Sequence, residues 1–458
     1  MPNVNTPDLL VIGGGNAGLC AALTAADRGA RVLLLEKTSA AWRGGNSKYT
    51  RNIRVAGPEY TEDEFLADLV AVTGEGIDRE LAALAVDRSR GAAEWMEAHG
   101  ARWQPPFRGT LQLARTNRFF LGGGKALLNV YYDRAVRAGV EVRYRAEVAS
   151  LRLANGRFSA VEVDLPQGRR EVSARAVVVA SGGFESNLEW LRRYWGGAVD
   201  NYLIRGTSAN DGRLLRQLLD AGAMERGNPR GFHAVACDAR SPRYEGGIVT
   251  RIDSVPFGIV VNREGRRFAD EGEDLWPKRY ATWGRLIALE PDQLAFSVFD
   301  SRVRERFIPP LFPPYEADSI EGLAGQMKVD PAALAATVQA FNGAVDPDLP
   351  YDIARLDGCG TRGLQPPKSN WALPIDRPPF FAYPMRPGIT FTYLAVGVDR
   401  TARVLDGSGQ PLENVFAAGE VMAGNILLNG YVGGVGLTIG TVFGQIAGEE
   451  AAAYARAG

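Results

Sequence analysis

The sequence predicts an α/β protein in which a Rossmann-like domain, discontinuous along the chain, carries an inserted α+β capping block. Three observations point there. A strand, turn, helix and strand open the chain over residues 8–36. Further βα units follow to about residue 227. After a stretch of different texture the strand pattern resumes and ends in a long Gly-rich helix.

The opening unit reads DLLVIGGGNAGLCAALTAADRGARVLLLE. Leu9 to Ile12 are an uninterrupted apolar run of the kind a buried parallel strand needs, and Gly13, Gly15 and Gly18 then give the G-x-G-x-x-G spacing. Gly13 permits the tight turn, Gly15 lets backbone approach a pyrophosphate, and Gly18 lets the helix pack closely on the sheet. The free N–H groups and dipole of the helix N-terminus favour an anion there, so no lysine is required. A second strand follows over 31–35, and Glu36 at its end can accept hydrogen bonds from both hydroxyls of an adenosine ribose. The unit is therefore a dinucleotide site, with Gly13, Gly15, Asn16, Ala17, Gly18, Glu36 and Lys37 as its candidate contacts.

With 458 residues the chain is expected to hold two or three domains. Its 46% hydrophobic and 23% charged residues are globular throughout, and a net charge of −1 gives no basic field for nucleic acid. Cys20, Cys237 and Cys359 are far apart and form no C-x-x-C pair, so they cannot on their own ligate a structural zinc or an iron–sulfur cluster; no metal site is expected. A reducing cytoplasm fits this usage. The start, MPNVNTPDLLVIGGG, lacks a basic n-region, a long apolar core and a cleavage site, so export by that route is not expected. No window approaches the roughly 18 apolar residues that cross a bilayer.

Residues 37–57 lack periodicity and read as a long ordered loop, in which Gly44, Gly45, Asn46 and Ser47 would let backbone and a hydroxyl come up to a flat ring system. Residues 62–99 read as two amphipathic helices, closed by His99 as a C-terminal cap. A Gly-rich turn at 122–124 opens a helix to Ala138, and two strands follow, with Val148 in the second. Residues 171–183 read as one strand entering a small-residue turn at Ser181 and Gly182, and 207–212 as the opening of another helix. From about Asn228 the texture shifts toward Pro, Trp, Tyr and Arg. There, 247–270 read as hairpin strands around N-R-E-G, and 323–342 as a helix pair. The expected limits are 1–227 with 388–458 for the cofactor domain and 228–387 for the inserted block. Near the end, N-V-F-A-A-G-E runs a short strand into Glu420, and Gly433, Gly434 and Gly436 start a long helix that aims a second N-terminus, around Gly434 and Val435, at a ligand.

Together these pieces resemble the fumarate reductase/succinate dehydrogenase flavoprotein family, and within it the FAD-dependent tricarballylate dehydrogenases. The resemblance covers nearly the whole chain and rests on V-I-G-G-G-N-A-G at 11–18, W-R-G-G-N-S at 42–47, L-I-R-G-T at 203–207, D-E-G-E-D-L-W-P-K-R-Y at 270–280, R-P-G-I-T-F-T-Y at 386–393 and A-G-E-V-M-A-G-N-I-L at 418–427. It implies an FAD domain and a capping domain, with flavin and substrate at their junction. It further implies that Glu36 holds the ribose, Ser47 and the 44–46 backbone the flavin ring, and Glu420 the ribityl hydroxyls. The flavin is expected to be non-covalent, because members with a covalent link use a histidine in the loop after the first unit, and the histidines here are His99 and His233.

For the substrate the resemblance places His233 and Thr250 near the family's histidine and threonine, puts Arg251 where the family has glutamate, and leaves Thr390 or Phe391 at a later histidine position. The acid/base arginine falls nearest to Arg279 if a short insertion is allowed, and on Leu275 if not. The clamping arginine becomes Tyr431, a residue that also resembles the ketone-polarising tyrosine of ketosteroid dehydrogenases. The implied activity is oxidation of a carboxylate-activated CH–CH bond to C=C with hydride passing to flavin N5, tricarballylate giving cis-aconitate. Arg251, Arg279 and Arg386 would meet the carboxylates. Arginine keeps its proton to about pH 12, so Arg279 would act only within a relay, with Tyr431, Tyr280 and His233 as rivals. A ketone-activated or natural-product substrate, or a flavin electron-transfer subunit, are the alternatives. The electron acceptor implied is a separate iron–sulfur or haem membrane protein.

Overall fold

In a computed structural model that describes residues 6–346 and 348–457, the strand Leu9–Ile12 lies inside a six-stranded sheet. The expectation about an export leader rests partly on residues 1–5, which lie outside the described residues. The sheet order is Arg403–Leu405, Pro411–Ala417, Ala176–Val179, Leu9–Ile12, Val32–Glu36, Glu141–Tyr144. All neighbours are parallel except the first pair, and Leu9 faces Val32 on one side and Ala176 on the other. Every residue of the two central strands is buried, which is why both read as continuous apolar runs.

The helix Asn16–Asp27 packs on the last helix, Val435–Ala457, closely enough that a side chain on Gly444 or Gly448 would meet the Ala17 or Ala21 carbonyl at 2.5 or 2.3 Å. The small residues of the final helix therefore set this approach. Gly13 turns the chain at φ +107°, where a Cβ would stand 2.3 Å from the Ala180 carbonyl oxygen.

Several elements differ from the sequence reading. Residues 62–99 form three helices, Glu62–Thr73, Arg79–Asp87 and Ser89–Ala98, because Asp78 caps a new start by accepting from Leu81 N–H and Arg88 interrupts the second run. The loop after Glu36 contains a 3₁₀ turn, Gly45–Tyr49, and a strand, Asn52–Arg54, which pairs with Asn117–Phe120. Residues 171–183 split between the exposed hairpin strand Gly168–Ser173 and the buried Ala176–Val179. Around N-R-E-G only one bridge, Val261 to Arg267, extends the turn. The strand Ile259–Asn262 pairs instead with Ala295–Asp300.

That second sheet is centred on the long strand Phe380–Thr392, which carries Leu203–Ile204, Phe232–Asp238, Ala295–Asp300 and Tyr315–Ala317 along its length. It runs through position 387, and its partner Leu203–Ile204 precedes residue 228, so one sheet draws on both sides of the expected limits. Texture does not register strand pairing. Among the described residues no helix is long and apolar enough to cross a membrane.

Candidate active site

One cavity extends from the first Gly-rich turn to the second sheet. Gly13, Gly15, Asn16 and Ala17 line its start, followed by Glu36, Lys37, Gly45, Asn46, Ser47, Val148, Ser181, Gly182, Glu420 and Gly434. Asn16 N–H donates to Ser47 Oγ (3.0 Å) and its side chain to Thr441 (2.9 Å), so the opening helix, the loop and the last helix are tied together at one point. Glu36 accepts from Thr38 N–H and hydroxyl, both at 2.8 Å, and Lys37 is held by Asp211 and Glu147. A Cβ on Gly15 would make only ordinary contact, 3.5 Å to Ser47 Oγ. The backbone there faces open space bounded by the start of a helix, and a buried carboxylate ends the next strand. These residues fit a flavin adenine dinucleotide.

Gly18, Gly44 and Val435 stand outside this lining. Gly18 serves packing, since a Cβ there would lie 1.9 Å from the Gly13 carbonyl oxygen; Gly44 N–H turns toward Glu36; Val435 is buried in the first turn of the last helix. The Asn46 amide is used within the protein, donating to Glu185 and to Thr390 O (2.7 Å) and accepting from Thr207 N–H (2.7 Å), which leaves its backbone for a ligand.

At the cavity wall, Glu420 is buried next to the fully enclosed Glu185, and the two carboxyls interact. Two carboxyls in that contact need a shared proton. Glu185 also accepts from Asn210 (2.7 Å) and Asn46, while Glu420 accepts from Thr392 N–H (2.8 Å). Burial raises both, and the neighbouring Glu185 raises Glu420 further, well above the usual carboxylate range. Nothing in the sequence paired Glu185 with Glu420, because 235 residues separate them.

At the other end, His233, Tyr280, Tyr431, Arg205, Arg251 and Thr390 line the wall. His233 stacks on Tyr431 (centroids 4.1 Å) and meets Tyr280 edge-on (5.6 Å). Thr390 Oγ1 accepts from Arg205 Nη2 (2.9 Å) and lies 2.8 Å from His233 Nδ1. With one lone pair so engaged, its proton is assigned to Nδ1, placing the His233 proton on Nε2, which has no protein partner. Burial, then Arg205 and Arg251, hold His233 well below its ordinary value, so it is neutral. Arg251 donates to Asp253 (2.7 Å), and its guanidinium lies 4.6 Å from the Tyr280 ring centroid. Burial raises Tyr280, and Arg251, Arg205 and Arg51 pull against it by favouring the phenolate. Tyr431 Oη accepts from Gly436 N–H (2.8 Å).

Three residues expected at the substrate lie elsewhere. Arg279 pairs with Glu273 and does not line the cavity; its sequence neighbour Tyr280 does. The two point apart because Arg279 ends the short helix Trp276–Arg279 and Tyr280 begins the next turn. Arg386 donates to the Asp292 carbonyl (2.8 Å), and the Thr250 hydroxyl to the Gly247 carbonyl (2.8 Å). His99 caps its helix as expected, bonded to Asp27 and stacked on Trp95. Arg205 and Arg51 carried no role in the sequence reading. For the first, the sequence offered only an arginine following the apolar pair Leu203–Ile204 in L-I-R-G-T; nothing distinguished the second from other loop arginines.

A glycine-turned parallel strand, a dinucleotide cradle and a second sheet that brings ionisable groups to the same cavity define a flavin-dependent oxidoreductase. Residues 8–437 match the FAD binding domain family, and the chain belongs to it; its relatives are flavoproteins of the fumarate reductase/succinate dehydrogenase type that act on carbon–carbon bonds. A probable fumarate reductase of Shewanella frigidimarina is 28% identical over 98% of this chain and 75% of its own length. A flavocytochrome c3 fumarate reductase in its open conformation superposes with a TM-score of 0.78 at 24% identity, over 99% of this chain and 79% of that one. The 3-ketosteroid Δ1-dehydrogenase of Sterolibacterium denitrificans gives 0.78 at 19% identity, over 98% and 100%. These two likenesses show the fold.

Proposed function

We propose that this flavoprotein oxidises a carbon–carbon single bond next to a carboxylate, with tricarballylate giving cis-aconitate as the reaction. The observation that carries it is the convergence of two buried guanidiniums, Arg205 and Arg251, and two phenols, Tyr280 and Tyr431, on the wall of the cofactor cavity. Bound in that cavity, FAD supplies a two-electron acceptor for hydride. The residues bind, orient and move a proton. Arg251, fixed by Asp253, holds the carboxylate next to the reacting carbon and stabilises the charge that grows there as the α proton leaves. Tyr280 takes that proton once its own has left: burial raises its phenol above the ordinary value, and Arg251, Arg205 and Arg51 offset part of that rise in favour of the phenolate. Tyr431, stacked on His233 and anchored by Gly436 N–H, orients the substrate. Arg279, tied to Glu273, stays outside the proton path.

A second reading draws support from the Gly436 N–H bond to Tyr431. That bond sharpens the phenol as a donor to a ketone oxygen, which would suit a ketone-activated substrate. The electron acceptor, by family resemblance, is a separate iron–sulfur or haem protein. FAD is held without a covalent link, so acid precipitation releases all of it; flavin kept by the washed pellet would contradict this. The activity is tested by anaerobic incubation of stoichiometric holoenzyme with tricarballylate and chromatography of the products. One cis-aconitate per flavin is expected, and unchanged tricarballylate would overturn the assignment.

A further inference from the structure

Three arginines stand together at the substrate end with too little negative charge to match them. Arg205 is fully enclosed, and its Nε and Nη1 have no hydrogen-bond partner in the protein. Arg51 is 8% exposed, with Nε and Nη2 unpartnered, and its nearest carboxylate oxygen, on Asp253, is 3.8 Å away. Arg251 is 6% exposed, bonds the same Asp253 at 2.7 Å and leaves Nε free. Asp253 also accepts from Trp276 Nε1 (2.8 Å). The other groups around the arginines are Tyr280, Tyr431, Cys237 and the neutral His233. Three guanidiniums against one carboxylate leave two uncompensated positive charges.

Uncompensated buried charge is among the most destabilising features a fold can hold, and it persists where something else supplies the counter-charge. Glu245 is committed to Lys48 and Tyr49, and Asp238 to Arg240. The counter-charge has to arrive with the ligand.

We propose that Arg205, backed by Arg51 and Arg251, is a specificity-determining residue that requires the substrate to carry at least two carboxylates. Arg251 takes the carboxylate next to the reacting carbon and Arg205 takes a second one, borne at the other end of the molecule. Arg51 acts as a positioning residue: by drawing on Asp253 it keeps Arg251 only partly neutralised. Thr390, which fixes Arg205 Nη2, aims the fork. A monocarboxylate or a neutral ketone fills the space but leaves one or both charges unmet.

This inference rests on the reading above and is separable from it, because binding can be followed without turnover. The flavin absorbance of oxidised holoenzyme is titrated anaerobically with tricarballylate, with a monocarboxylate of the same chain length and with a cyclic ketone of similar size. Wild type should bind tricarballylate about 100-fold more tightly than the monocarboxylate. Arg205→Met should bring that ratio below about ten-fold by weakening the polycarboxylate alone, and Arg205→Lys should restore part of it. Without ligand, Arg205→Met should melt no lower than wild type, since it removes an uncompensated charge, and tricarballylate should raise its melting temperature less. Equal affinity for the mono- and polycarboxylate, or equal weakening of both in Arg205→Met, would overturn the inference. Tight, Arg205-dependent tricarballylate binding with no flavin bleaching would support the anion site and discard the reaction. Selective bleaching by the ketone at wild-type rate in Arg205→Met would discard both.

Discussion

The two ends of the cavity are built by opposite means. At the cofactor end backbone does the work: Gly13, Gly15 and the start of the Asn16–Asp27 helix come from one short segment, and their spacing fixes their geometry. At the substrate end side chains do it, and Arg205, His233, Arg251, Tyr280 and Tyr431 come from five separate stretches brought together by strand pairing and by the last helix. Local geometry is robust to what happens elsewhere and intolerant of added atoms. A site assembled from afar tolerates substitution in the fold but changes its chemistry.

The sharpest break in that comparison is expected from Gly18→Ala. A Cβ 1.9 Å from the Gly13 oxygen forces helix and turn apart, which should cost about 3 kcal/mol or more and release the cofactor. Gly15→Ala, with room for its Cβ, should fold normally and lose only FAD affinity. Thermal melts alongside FAD fluorescence separate the two, and equal melting temperatures would mean that Gly18 is not a packing position.

Next in size is Tyr280→Phe at the substrate end. It should leave the melting temperature unchanged and slow anaerobic flavin bleaching by about 10² or more. A fall confined to substrate affinity would assign Tyr280 to binding instead.

The buried carboxyl pair predicts a smaller, pH-dependent effect. Glu420 has its folded value raised above that of the unfolded chain, so the folded state binds the extra proton. Its contribution to stability is then fully present below the ordinary carboxylate value and is lost as pH rises toward the raised one. Between about pH 5 and 8 the slope is at most about 1.4 kcal/mol per pH unit. Denaturant melts of Glu420→Gln should show a flatter profile than wild type, and an identical profile would remove the shared proton. The smallest effect is expected from Arg279→Gln, which loses a partly exposed ion pair and should bleach within about three-fold of wild type.

How much of this was legible follows from the same contrast. The strand Leu9–Ile12, the role of Gly13 and the close approach of the final helix could be read directly, because periodicity and small residues are local signals. Glu36, Ser47, Val148, Ser181, Glu420 and Gly434 line the cavity. Arg279 and Tyr280 show where reading stops: adjacent in sequence, they face different environments, and only the turn after Trp276–Arg279 decides which meets the ligand. Arg205 was unassigned for another reason. Its significance lies in the absence of a partner, and a missing counter-charge is visible only once the neighbours from distant segments are in place.

The central claim, that a carboxylate-activated carbon–carbon bond is oxidised with Tyr280 taking the proton, is tested most directly by stopped-flow reduction. Wild type, Tyr280→Phe and Tyr431→Phe are mixed anaerobically with tricarballylate and, in parallel, with a ketone of similar size. The account predicts fast bleaching of wild type by tricarballylate, loss of about 10² in rate for Tyr280→Phe, and for Tyr431→Phe chiefly a weaker substrate affinity, by about 1–2 kcal/mol. Bleaching by the ketone alone, abolished in Tyr431→Phe and unaffected in Tyr280→Phe, would contradict it.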